Sequence, residues 1–256
     1  MASNGNDTII EVRNLTAAFG DRVILRDLSF DVRRGEIFVI LGGSGSGKST
    51  LMKSMIGLLA PRSGSIRIDG DDIVTADEPV RFALLRKFGV MYQSGALFGS
   101  MTLLENVRLP LEEFTDLPPE ARDLIATMKL RLVGLEDFTR LLPAELSGGM
   151  RKRGAIARAV ALDPQILFLD EPSAGLDPIT SAELDQLIRS INKTLGMTFV
   201  VVSHELPSIF AIADRVIMVD SGTKGILASG RPQDLKERSD DPRVRRFFNR
   251  QTEKPT

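Results

Sequence analysis

The stretch Gly42-Gly43-Ser44-Gly45-Ser46-Gly47-Lys48-Ser49 constrains this chain more than any other. It fits G-x-x-x-x-G-K-[ST] in full. The run before it, Glu36-Ile-Phe-Val-Ile-Leu41, is apolar enough for a strand buried on both faces. After it, Leu51, Met52, Met55, Ile56 and Leu59 recur at the helical period, and Pro61 reads as the stop. A strand, a glycine loop and a helix in this order turn successive backbone N–H groups inward and place a helix N-terminus behind them. The ligand suited to such a cradle is phosphate. Lys48 then reaches the β- and γ-phosphates, and the Ser49 hydroxyl suits Mg²⁺. ATP with magnesium, bound and hydrolysed, is the expectation. A dinucleotide G-x-G-x-x-G fingerprint does not fit, because Lys48 falls where its last glycine would stand. The bland alternative is a Gly/Ser-rich turn.

Two acids end another apolar run, Ile166-Leu-Phe-Leu-Asp170-Glu171. Asp170 is placed to hold Mg²⁺, directly or through water. Glu171, one residue further, is placed to polarise an attacking water; such assistance is worth roughly 10² to 10⁴ in rate. Without the phosphate loop, two solvated carboxylates before Pro172 would be the default reading. His204, the only histidine, follows the apolar run Thr198 to Val202 and Ser203, so it too lies at a strand end. Ligands of open α/β sheets sit outside the carboxyl ends of strands, which would draw Lys48, Asp170 and His204 to one edge. A lone histidine is otherwise a surface or core residue.

A second glycine motif, Leu146-Ser147-Gly148-Gly149-Met150, opens a helix. A hydroxyl, glycine N–H groups and a helix N-terminus make an anion site. Arg151, Lys152 and Arg153 lie in the first turn, the wrong end for cations by the macrodipole argument, and a nearby phosphate would explain them. A capped surface helix with solvated charges is the plain alternative. One loop already holds one nucleotide, so a second anion site suggests a nucleotide shared between two chains.

The rest of the chain reads as a parallel α/β core with a mostly helical insertion. Residues 9 to 40 alternate as short strands, through Ile10, Val12, Leu15 and then Leu28, Phe30, Val32. Phe88 to Tyr92, Gln165 to Asp170 and Met197 to Ser203 are strands, and Arg215 to Val219 with Gly225 to Ser229 suggest a final pair. Helices are expected at Glu120 to Val133, opened by Pro118-Pro119, at Met150 to Leu162 and at Ser181 to Leu195. Ser239-Asp-Asp241-Pro242 is a helix start, and Val244, Phe247 and Phe248 share one face beyond it. That face either packs on its own domain or reaches a partner. No internal repeat is visible.

Composition removes several classes. The 256 residues are 43% hydrophobic and 26% charged, which is a globular balance. A formal net charge of -1 gives no support to a nucleic-acid partner. There is no cysteine, so disulfides, thiolate metal sites and cysteine nucleophiles are excluded. The start MASNGNDTII has no basic and apolar leader pattern, and no apolar run is long enough for a membrane span. The expectation is a soluble cytoplasmic protein whose membrane role comes through a partner.

Gly42 to Ser49, Gln93, Leu146 to Met150, Ile166 to Glu171, Ser173-Ala-Gly-Leu-Asp177 and His204 together resemble the ordered motif set of an ABC-transporter ATP-binding subunit, over about residues 9 to 235. The resemblance implies a P-loop NTPase (RecA-like) core with an N-terminal antiparallel β subdomain and a helical ABC signature subdomain. The ATPase domain would run 1–236 with the helical part inserted at about 94–160, and the tail 237–256 would carry a short amphipathic helix. It also implies a head-to-tail homodimer with two ATP molecules at its interface. Gly42, Gly43, Ser44, Gly45, Ser46, Gly47, Lys48, Ser49 and Thr50 would bind ATP, and Phe19 would stack on adenine, although many relatives have tyrosine there. Ser147, Gly148 and Gly149 would act in trans, Gln93 would sense Mg²⁺ and the γ-phosphate, and Asp177 would contact the facing subunit. Glu171, His204, Lys48 and Gln93 would be the catalytic group, with Ser49, Gln93 and Asp170 on the metal.

A narrower resemblance rests on Gln93-Ser-Gly-Ala-Leu-Phe98, the methionine that ends Leu146 to Met150 where glutamine is usual, and Asp241-Pro-Arg-Val-Arg-Arg-Phe247. These look like the ATPases of Mla-type lipid transporters. That implies a membrane permease dimer, an MCE-domain lipid-binding partner, a phospholipid or other lipid as cargo, and a place on the inner face of the membrane. The alternative is a soluble ABC-type ATPase of an assembly system such as iron–sulfur cluster assembly. ATPases of DNA repair or translation usually carry long coiled coils or two cassettes, and neither is present. A small-molecule kinase would leave the second glycine motif without a purpose.

Overall fold

A computed structural model of the chain describes residues 7–250. Part of the polar start and the end of the tail therefore lie outside the described residues. The chain divides into two compact units, Met1–Ala76 with Val200–Thr256, and Asp77–Phe199.

The first unit opens with β1 (Thr8–Phe19) and β2 (Arg22–Arg33). Alternation predicts short strands here; instead each has 12 residues, and the two form one antiparallel hairpin. Ile10, Val12, Leu15, Leu28, Phe30 and Val32 are all buried, as the alternation requires. The ladder has several register shifts; two of them take in Asn14 and Asp27, with φ of 48° and 55°, whose side chains bond to each other at 2.8 Å. β3 (Ile37–Leu41) is buried at every position. α1 (Lys48–Met55) stops short of Leu59: Gly57, at φ 74°, ends it before Pro61 can. Leu51, Met52, Met55 and Ile56 are buried as expected. β4 (Ser63–Ile68) and β5 (Asp71–Asp72) complete a sheet of order β2-β1-β4-β5.

The second unit holds α2 (Glu78–Arg86), β6 (Phe88–Met91), α3 (Leu103–Phe114), α4 (Pro119–Leu132), α5 (Gly148–Ala159), β7 (Ile166–Asp170) and α6 (Pro178–Leu195). α2 buries only Leu84, so it has no apolar stripe for the sequence to display; Asp77 starts it by accepting the Val80 N–H. α3 has a full capping box, with Thr102 and Glu105 bonding each other's backbone. α4 begins at the proline pair as expected. α5 ends three residues before Leu162, capped at Val160. α6 begins at Pro178 rather than Ser181, because Asp177 caps it and proline is tolerated in a first turn. β6 and β7 pair in parallel. α3, α4 and α5 pack on one another and make this the helical part of the chain.

β8 (Thr198–Val202), buried throughout, carries the chain back into the first unit. Thr198 N–H bonds the Gln165 carbonyl, and Ser203 N–H bonds that of Ile40. Then come α7 (Leu206–Ile212), β9 (Arg215–Val219), β10 (Ile226–Gly230), α8 (Pro232–Arg238) and α9 (Pro242–Phe248). β9 runs parallel to β3, and β10 returns antiparallel to β9. α9 starts where acid and proline predict. Its apolar face packs on its own unit: Val244 and Phe248 are buried, and the Phe248 ring meets Phe210 at 5.8 Å. Among the described residues no helix is long and apolar enough to cross a membrane.

Candidate functional site

The chain leaves β3 at Leu41 and curls through Gly42 to Ser49 into α1. Its glycines have different duties. A Cβ on Gly42 would lie 2.3 Å from the Val219 carbonyl oxygen, and one on Gly47 (φ 98°) would lie 2.7 Å from Leu25 Cδ2. These two let the loop press onto its own unit. At Gly43 and Gly45 a Cβ would meet nothing within 4 Å, so bare backbone faces open space. α1 has no side-chain cap and no acid in its first turn. Its leading N–H groups are thus available to an anion. Lys48 Nζ lies back along the loop, donating to the Gly42 and Gly43 carbonyls at 3.0 and 3.1 Å. Ser46 Oγ is buried with no hydrogen-bond partner. This donor-rich, acid-free loop fits a polyphosphate, and the exposed Ser49 hydroxyl fits a hard cation bound with it.

Phe19, Arg22 and Ile24 line a cleft of about 360 Å³ together with residues 45–50. Phe19 is 52% exposed and pairs with Arg22 across the Gly20 turn. An aromatic face with a cation beside it suits a planar base followed by phosphates. Arg22 and Ile24 carry no motif signal. They reach the cleft only because the hairpin folds β2 alongside Phe19. His204 also belongs to this unit, exposed just beyond the end of β8.

The other candidates belong to the second unit. Asp170 ends β7, half-buried, and Glu171 follows, buried and with φ 46°. A non-glycine residue in this left-handed region is strained by about 1 kcal/mol or more. Gln93 is exposed just past β6. Ser147 caps α5, its Oγ accepting Met150 N–H at 3.2 Å, which is the plain reading of that hydroxyl realised in geometry. Gly149 is required by a close approach: a Cβ there would lie 2.5 Å from Thr180 Cγ2. Thr180 Oγ1 in turn donates to Asp177 at 2.6 Å. The glycine motif and Asp177 therefore share one neighbour, which spacing alone does not reveal. The Thr180 hydroxyl, then the Thr180 and Ile179 N–H groups, hold the Asp177 carboxyl below its usual pKa.

The three basic residues at the start of α5 have a different explanation from the phosphate expected. Arg151 donates to the Leu146 carbonyl at 2.6 Å and Arg153 reaches that of Val133 at 3.5 Å. Lys152, buried, donates to the carbonyls of Gln93 and, at 3.3 Å, Glu171. The cations answer carbonyl dipoles of their own chain. Further along α5, Arg158 donates to the carbonyls of Ala96 (2.7 Å) and Gly95 (3.0 Å). Burial lowers the Arg158 pKa and raises that of Tyr92, which lies between the fields of Arg158 and Asp170.

Residues 25–174 match the family model described as ABC transporter. A Mycobacterium leprae protein described as "Probable ribonucleotide transport ATP-binding protein mkl" is 43% identical, covering 97% of this chain and 73% of its own length. A Haemophilus influenzae protein described as "Intermembrane phospholipid transport system ATP-binding protein MlaF" is 40% identical, covering 98% of this chain and 94% of its own. The dimeric post-hydrolysis structure of the ATP-binding cassette MJ0796, bound to ADP and Pi, superposes with a TM-score of 0.79 at 31% identity, over 87% of this chain and 98% of that one.

Proposed function

This chain belongs to the ABC transporter family, and on that premise we propose that it is the ATP-hydrolysing subunit of a phospholipid transporter. It works as a homodimer on the inner face of a membrane, held there by a permease dimer, with an MCE-domain lipid-binding protein as a further partner. The observation that carries this reading is the match to the phospholipid-transport relative over 98% of this chain and 94% of that protein. The relative named for ribonucleotide transport extends beyond the match, which covers 73% of it. Both are named for transport, which favours a permease partner over the soluble assembly ATPase.

The chain is an ATPase. In our assignment Gly42 to Thr50 bind the phosphates, Lys48 draws charge from the β–γ bridge, and Phe19 with Arg22 beside it receives adenine. Ser49, Gln93 and Asp170 are the donors assigned to Mg²⁺, which when bound neutralises phosphate charge. Glu171 takes a proton from the attacking water, and His204 supports hydrolysis. Ser147, Gly148, Gly149 and Asp177 serve the nucleotide of the facing subunit.

The test is purification of the tagged chain from detergent-solubilised membranes. It should bring down an integral-membrane protein and an MCE-domain protein. That assembly, placed in vesicles, should move a fluorescent phospholipid only when ATP is supplied. Recovery of soluble partners alone would return the chain to the assembly-ATPase reading.

A further inference from the structure

We propose that Lys152 is a positioning residue for hydrolysis: its buried ammonium ties the backbone of Glu171 and of Gln93 to the helix that carries Ser147 to Gly149. The inference rests on the reading of Glu171 as the base.

Lysine is a poor choice for this position on ordinary grounds. A buried ammonium loses its hydration, and Lys152 is buried in the second turn of α5. The carbonyls it donates to offset that loss. They come from two different segments: β6 and β7 run side by side, with Met91 opposite Leu169, so the chain leaves them as neighbours at Gln93 and Glu171. Lys152 Nζ bridges the two exits, donating to Gln93 O and Glu171 O.

Glu171 is the residue that most needs such a tie. Its backbone is left-handed, at φ 46°. A strained conformation persists only where its surroundings over-determine it. The Glu171 carbonyl accepts from Lys152 Nζ at 3.3 Å and from Ala174 N–H at 3.1 Å, which fixes the peptide plane and with it the direction in which the carboxylate leaves the chain. Gln93 is gripped likewise. Lys152 holds its carbonyl, and Arg158 holds those of Gly95 and Ala96 while lying 5.9 Å over the Phe98 ring. α5 therefore has the glycine motif at its tip and the backbones of the water-polarising acid and the sensing glutamine pinned to its flank. A movement of the tip moves both.

The experiment uses the full chain and begins with Glu171→Gln, which should bind ATP and lose turnover. If it turns over normally, the assignment of Glu171 fails by itself, whatever Lys152 does. With that established, Lys152→Met keeps the side chain's length and removes its donors. Its kcat should fall about tenfold or more, since misplacing a catalytic group by about 1 Å can cost about 10²-fold. ATP affinity, read with a fluorescent analogue, should change less than about twofold, because this is a kcat effect. Lys152→Arg, which restores donors, should recover most of the loss. A folded Lys152→Met with unchanged kcat overturns the proposal, as does loss of ATP affinity in step with kcat, or a Lys152→Arg no better than Lys152→Met. Should Lys152→Met fail to fold, Lys152→Gln serves in its place: an intermediate kcat with ATP affinity kept supports the tie, and a kcat equal to the parent chain's overturns it.

Discussion

The Asp241 carboxylate accepts three bonds from Arg243: the backbone N–H at 2.7 Å, Nε at 3.2 Å and Nη2 at 2.8 Å. The Arg243 side chain first, and then its N–H, hold the carboxyl at a pKa of about 2 against an ordinary 3.8. A depressed carboxyl stabilises the fold above its unfolded pKa and loses that contribution as pH falls through the folded one. The difference in Tm between the chain and Asp241→Asn should thus be constant above 3.8 and shrink as pH drops toward about 2. A difference that ignores pH across that window would show that the cap, and not its charge, matters. Asp241 was legible in the sequence, since acid followed by proline is a local signal. The duty of Lys152 was not: a helix expected from Met150 put the cation in a first turn, whereas the structure starts the helix at Gly148, and the lysine's partners are 59 and 19 residues away.

At the scale of elements, close approach explains what periodicity left blank. β6 lies so near the end of α5 that a Cβ on Gly89 would fall 1.9 Å from the Ala159 carbonyl oxygen. Backbone cannot yield as a flexible side chain does. Gly89→Ala should therefore destabilise the chain by about 3 kcal/mol, at the upper end of ordinary overpacking. Urea unfolding would measure it, and a change under about 0.5 kcal/mol would contradict the close contact. Periodicity did locate β3, β7, β8, α4 and α9, whose burial patterns or caps are strong. It extended α1 and α5 too far, because the next apolar residues continue the count after the helix has stopped. It missed α2, whose single buried leucine makes no stripe. It split β1 and β2 into short pieces, because bulges interrupt alternation without ending a strand.

At the scale of the whole molecule, the candidate residues are distributed between two units, and the glycine motif of α5 has no assigned duty toward its own chain's phosphate loop. A homodimer gives it one. ATP hydrolysis per chain should accordingly rise with protein concentration and follow the dimer fraction seen in sedimentation. A monomer that keeps its full per-chain rate at the lowest concentration would rule out the shared site while leaving ATP binding to Gly42 to Ser49 intact.

What the sequence determined by itself was the phosphate loop, the acidic strand end and the α/β class. Each depends on residues within a few positions: a glycine pattern between a buried strand and a helix, or an apolar run with polar ends. The tertiary structure alone decided why Gly42 and Gly149 admit no side chain, what lines the cleft beside Phe19, and where the cations of α5 go. Val219, Thr180, Gly45 and Gln93 supply those answers, and each is brought there by the fold across a separation that no local pattern spans. The loop Gly42 to Ser49 could be read from its neighbours; the tie that would aim Glu171 could be read only once β6, β7 and α5 were side by side.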